Sequence, residues 1–204
     1  NARSFGDKAA AVAWAGGAML SAMQNAGVLG TVKHFPGHGD THVDSHTGLP
    51  LVEHDRATVE AVDLYPFRQL IKQHQPAMVM TAHIQYPALD NSSLTTKSGE
   101  AVIKPATLSR AILTDLLRED MGFDGIIITD ALNMAGISQF FDPAQAVIET
   151  FAAGADIALM PVKLQSPAEL ANLAALLNEL EAAVQSGKLQ QQELLASYQR
   201  IVAA

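Results

Sequence analysis

Residues 122–134 read Gly-Phe-Asp-Gly-Ile-Ile-Ile-Thr-Asp-Ala-Leu-Asn-Met. Within them, Gly125-Ile126-Ile127-Ile128-Thr129 has no polar alternation, so it predicts a strand covered on both faces, as in a parallel sheet. Gly122 ends the helix in front of it, and Asp130 follows it directly. Thr107 or Ser109 can cap that helix, which runs to Met121. Further upstream, a helix from about Val59 to Gln73, interrupted by Pro66, feeds the strand Ala77-Met78-Val79-Met80-Thr81, which ends at Ala82-His83. The first unit is a helix over residues 6–26, closed by Gly27, and a strand Val28-Leu29-Gly30-Thr31-Val32. Downstream, Pro143–Ala152 reads as a helix and Asp156-Ile157-Ala158-Leu159-Met160 as a strand. Pro167–Ser186 and Gln191–Ala203 read as amphipathic helices.

Apolar strands alternating with helices predict an α/β fold with a parallel sheet. Four strands in about 160 residues are half of an eight-stranded barrel, which runs to about 250 residues. The expectation is a TIM-like (β/α) barrel of which residues 1–204, one partial domain, supply about the C-terminal half, with the N-terminal strands outside the chain. An open half-barrel would expose apolar edges, so the chain is expected to be a fragment of a longer enzyme or else to pair with another polypeptide, a missing N-terminal half-barrel, that closes the sheet; the fragment is favoured. A small open doubly wound sheet is the alternative. Neither Gly-x-Gly-x-x-Gly nor Gly-x-x-x-x-Gly-Lys-Ser/Thr follows any strand, so nucleotide binding by those routes has no support.

Composition narrows the function. The 204 residues carry 13 Lys+Arg against 21 Asp+Glu, a formal charge of −8, which argues against nucleic acid or an anionic membrane as the main partner. Hydrophobic residues at 49% and charged residues at 17% suffice for a sizeable core. No apolar run approaches the roughly 18 residues of a membrane span. Cysteine is absent, which excludes disulfides, a thiolate nucleophile and zinc-thiolate sites.

Polar residues collect at the C-terminal strand ends: Lys33-His34 after the first, His83 after the second, Asp130 after the third and Met160-Pro161 after the fourth. That face is where barrel enzymes place their chemistry. Between Lys33 and His46, histidines 34, 38, 42 and 46 recur every four residues. On a helix this spacing would suggest metal ligands, but Pro36, Gly37 and Gly39 make the segment a loop, so no metal is expected. Asp44 lies two residues before His46. If the loop folds back, that carboxylate can fix the histidine's tautomer and support its positive charge. His46 is then a proton-transfer candidate and Asp130 a nucleophile.

Lys33-His34-Phe35-Pro36-Gly37-His38-Gly39 with Asp44-Ser45-His46, and residues 122–134, closely resemble glycoside hydrolase family 3, in its β-N-acetylhexosaminidase branch. Arg3-Ser4-Phe5-Gly6, Pro66-Phe67-Arg68, Ala152-Ala153-Gly154-Ala155-Asp156 and Met160-Pro161 extend the resemblance over almost the whole chain. It implies a TIM-like barrel without cofactor. Asp130 would be the nucleophile, His46 the general acid/base assisted by Asp44, and Arg3, Lys33 and His34 the groups that bind N-acetylglucosamine. The implied reaction is retaining removal of terminal non-reducing N-acetylglucosamine from peptidoglycan fragments or chitooligosaccharides. A histidine in place of the usual second carboxylate is chemically adequate, since an oriented imidazolium donates a proton near neutral pH. Phosphorolysis is the nearest alternative within the enzyme class, because a histidine repels phosphate less than a carboxylate does. A sugar-binding barrel that has lost turnover is the alternative outside it. The sequences 39–41 and 130–134 look closer to the larger, exported relatives.

Overall fold

The computed structural model describes residues 4–39, 41, 45 and 48–204. Three parallel strands form its sheet: β1 (Thr31–Phe35), β2 (Met78–Thr81) and β5 (Ile126–Ile128), in the order β1-β2-β5. Thr31 pairs with Met78, and Met78 in turn with Ile126, so the three strands start level. Consecutive parallel strands need a crossover, and helices supply it. The helix α1 (Ala9–Asn25) precedes β1, and α3 (Leu64–His74) precedes β2. A ten-residue π-helix, Ala111–Asp120, precedes β5.

Phe35, Val79 and Ile127 are fully buried between the sheet and these helices, against Leu64, Phe67, Ile112 and Leu117. Each contributes roughly 1.5–3 kcal/mol through the apolar surface it removes from water. A second core lies beneath α4 (Ala135–Ser138), α5 (Pro143–Ala152) and α6 (Leu170–Gln185), built on Leu132, Ile137, Phe141, Val147 and Leu176. The last helix, α7 (Gln191–Ala203), docks near β5 through Ser197 and Arg200, both of which reach the Asp156 carboxylate.

Several sequence expectations need correcting. The first strand is Thr31–Phe35 and not residues 28–32, because its ladder opens at Gly30, whose carbonyl accepts from the Met78 amide. Val28 and Leu29 remain half exposed. Lys33 and His34 are therefore the end of the strand and not the loop after it. Pro66 does not break its helix. The short helix α2 (Arg56–Thr58) widens into a π-turn, Val59–Asp63, just ahead of the proline, and continues as α3. Such a widening relieves the clash and the lost hydrogen bond that proline brings.

The strand expected at residues 156–160 reduces to one parallel bridge, Ile128 with Ile157. The Thr129 hydroxyl accepts the Leu159 amide at 2.9 Å, and Met160 turns the chain at φ +49° before Pro161. A side chain thus replaces the next rung of the ladder. The segment read as a loop through Ser98-Gly99 holds an antiparallel hairpin, β3 (Ser93–Thr95) and β4 (Ala101–Ile103). Its strands are too short for an alternation to be legible.

Candidate active site

The C-terminal ends of β1 and β5 bring two of the predicted residues together. His34 Nε2 stands 3.5 Å from Asp130 Oδ2, and each side chain is 19% exposed. Because β2 lies between the two strands, their backbones are roughly 10 Å apart, at about 4.8 Å per strand. The side chains therefore converge over the end of β2. The two oxygens of Asp130 have different surroundings: Oδ1 accepts the Ala131 amide at 2.8 Å, while Oδ2 faces His34. Lys33, its neighbour on β1, has an exposed side chain. Arg3, Asp44 and His46 lie outside the described residues.

The loop after β1 is held by contacts that sequence reasoning missed. The Tyr86 hydroxyl donates to the Gly37 carbonyl at 2.7 Å. A Cβ at Gly37 would stand 3.0 Å from both that hydroxyl and Asp63 Cβ, which explains the glycine as a close approach. The His38 ring lies edge-on to His34, with centroids 5.9 Å apart. His38 Nδ1 is 3.2 Å from Thr41 Oγ1, and its Nε2 is 3.0 Å from Ser45 Oγ.

Ser45 is buried, and its carbonyl accepts the Gly136 amide at 3.0 Å, so the histidine loop is tied to the segment that follows Asp130. Here too the glycine is a close approach, since a Cβ at 136 would fall 2.9 Å from the Gly48 carbonyl. The one signal of this junction in the sequence is Ser45 itself, between Asp44 and His46. Among the described residues, no group of three or more His, Asp or Glu side chains gathers closely enough to hold a metal ion.

Asp130, fixed through one oxygen at a parallel-strand end, and His34, facing the other, both lie in the sequence motifs that carry the resemblance. A family model for the glycosyl hydrolase family 3 N terminal domain matches residues 1–204. The chain belongs to glycoside hydrolase family 3. Its parallel β/α architecture is that of the family's TIM-like barrel, of which the chain supplies a part.

Among family 3 proteins, the chain is 52% identical to beta-hexosaminidase A of Pseudoalteromonas piscicida over 98% of its own length and 34% of that protein. It is 39% identical to beta-hexosaminidase LpqI of Mycobacterium tuberculosis, over 92% of this chain and 44% of that one. A solved family 3 beta-N-acetylglucosaminidase from Paenibacillus sp. str. FPU-7 superposes with a TM-score of 0.85 at 39% identity, covering 98% of this chain and 35% of that structure. The chain thus spans between a third and a half of these relatives. Among the described residues, no helix is long and apolar enough to cross a membrane.

Proposed function

We propose that the protein is a retaining exo-β-N-acetylglucosaminidase, with residues 1–204 forming part of one catalytic barrel. The observation that carries this reading is the placement of Asp130, one oxygen held by its neighbour's amide and the other turned toward His34. Its substrate is a terminal, non-reducing N-acetylglucosamine of a peptidoglycan fragment or a chitooligosaccharide. Relatives named beta-hexosaminidase and beta-N-acetylglucosaminidase support the sugar class.

In the first step, Asp130 Oδ2 attacks the anomeric carbon while His46, as imidazolium, donates a proton to the departing glycosidic oxygen. The C–O bond to the leaving group breaks, and a glycosyl ester on Asp130 forms. In the second step, neutral His46 takes a proton from water. The resulting attack on the anomeric carbon cleaves the ester and restores both residues. Two inversions give net retention. Asp44 is assigned the assisting role, its negative charge favouring the imidazolium form of His46. Arg3, Lys33 and His34 donate to the sugar, and His34 adds positive potential beside the nucleophile when protonated.

The test is turnover of 4-nitrophenyl β-N-acetylglucosaminide by the natural full-length protein, with Asp130→Asn and His46→Ala beside it. Wild-type release of nitrophenol, its loss in both variants, and a first-formed sugar that is the β-anomer by NMR are expected. A folded wild-type protein that is inert, or a first-formed α-anomer, overturns the reading.

A further inference from the structure

His83 lies two residues beyond the end of β2, and it is buried to 1% exposure. A histidine so placed must have its ring nitrogens partnered, since an unmet polar group in a dry environment is costly. Nδ1 lies 2.9 Å from Thr107 Oγ1, and Nε2 lies 3.0 Å from the carbonyl oxygen of Ala131. A carbonyl can only accept, so Nε2 carries a proton and donates it, which fixes that side of the ring.

Thr107 is itself immobilised. Its hydroxyl is 2.8 Å from Thr81 Oγ1 and donates to the Ala82 carbonyl at 2.9 Å, and both threonines are fully buried. Ala131 is the residue whose amide holds Asp130 Oδ1. The two backbone groups of Ala131 are therefore gripped from opposite sides, the carbonyl by the His83 ring and the amide by the Asp130 carboxylate. The same histidine backs Gly136, where a Cβ would come within 3.3 Å of His83 Cβ.

We propose that His83 is a positioning residue for Asp130: by donating from Nε2 to the Ala131 carbonyl it pins the residue whose amide orients the carboxylate, so that Oδ2 is presented to the anomeric carbon. The assignment rests on Asp130 being the nucleophile. It uses a buried group that bond cleavage by Asp130 and His46 leaves idle, and it explains why a polar ring stands among the buried apolar residues Ala82 and Ile84. Loss of the grip lets the carboxylate rotate without removing any group that touches sugar. Its effect therefore falls on the rate of attack and not on sugar affinity.

Two substitutions separate this role from packing. The amide of His83→Asn can replace Nδ1 toward Thr107 but cannot reach Ala131, whereas the longer His83→Gln places an N–H near the position of Nε2. In the natural full-length protein, the readout is the rate at which 5-fluoro-N-acetylglucosaminyl fluoride labels Asp130, followed by the mass of the labelled peptide. His83→Asn should slow labelling about 10- to 100-fold, the penalty of a misplaced reacting group, with inhibitor affinity changed less than about threefold. His83→Gln should recover most of that loss.

Wild-type labelling rates in His83→Asn, or equal losses in the Asn and Gln variants, overturn the inference while leaving Asp130 as the nucleophile. Absence of label on Asp130 in the wild type overturns both. The wild type supplies a measurement independent of either variant's folding: the His83 Nε2–H resonance of ring-labelled protein should be present and should shift when Asp130 is labelled. A bare Nε2, or a resonance that does not move, also overturns the inference.

Discussion

Asp130 and Asp156 both contact the region of β5, and they are solvated in opposite ways. The Asp156 carboxylate is wholly buried and takes five hydrogen bonds. Oδ2 accepts from the Ile127 amide at 2.8 Å and from Arg118, while Oδ1 accepts from Ser197 at 2.6 Å and twice from Arg200. Burial pushes the Arg118 guanidinium below its ordinary pKa against the pull of Asp156, while Arg200 pushes it down further. Among the described residues, Asp130 takes a single hydrogen bond, and its side chain is 19% exposed. A carboxylate whose every lone pair is met by protein cannot change partners without stranding two guanidinium groups, so it serves as an anchor. One whose second oxygen, among the described residues, takes no hydrogen bond and meets only a histidine at 3.5 Å can form a bond.

The largest effect expected from this contrast is on catalysis. Asp130→Asn should lower kcat/KM by roughly 10⁴-fold, the scale of losing a nucleophile, and should leave the melting temperature within about 2 °C of wild type. Asp156→Asn should do the reverse. Losing one partner from a buried ionic cluster costs about 3–5 kcal/mol, to be read from urea unfolding. The folded fraction should keep the wild-type KM. A stable Asp156→Asn without turnover would break the contrast, because the two carboxylates would then share one role.

The same two residues show what is legible in the sequence. Asp130 can be found because it follows an all-apolar strand, and a strand end is a position that chain periodicity reveals. His34 is found on the same ground, although its strand runs to Phe35 and not to Val32, since apolar pattern cannot locate the first rung of a ladder. Asp156 reads in the sequence as the start of a strand. Its partners Arg118 and Arg200 lie 38 and 44 residues away in sequence, and nothing in local spacing links them. The continuity of the helix through Pro66 escapes the sequence for a related reason, since the π-turn that accommodates the proline is a backbone adjustment with no residue signature. His83 is visible at its strand end, but its burial and its grip on Ala131 depend on Thr107, a contact made only by the folded chain.

Thr129, between β5 and Asp130, marks the boundary between anchor and site. Its fully buried hydroxyl accepts the Leu159 amide at 2.9 Å. Thr129→Val keeps the shape and leaves that amide without its acceptor, at a cost of about 1–3 kcal/mol. Hydrogen exchange at Leu159 should quicken by a corresponding factor while exchange at Ile127, within the ladder, stays protected. Equal quickening at both would mean that the strand end and the ladder open together. The site would then stand on a less rigid base than Asp156 implies.

A third carboxylate sharpens the contrast at the smallest scale. Burial raises the pKa of Asp90, but the Ser109 hydroxyl and the Ser92 side chain and amide, with Lys104 nearby, outweigh it and hold the group below the ordinary carboxylate value. Ser92 donates its amide at 2.8 Å, and Ser109 its hydroxyl at 2.5 Å while accepting the Ile112 amide, so Asp90 steadies the start of the π-helix. Because the folded pKa lies below the unfolded value of about 3.9, the ionised form is the one the fold favours. Its stabilisation is complete above the unfolded pKa and is lost as pH falls through the folded one. Asp90→Asn should therefore cost about 1 kcal/mol at neutral pH, with the gap to wild type in urea midpoint closing below about pH 4. A gap that stays constant into acid would mean that Asp90 acts through shape alone, unlike Asp156, whose charge two arginines meet.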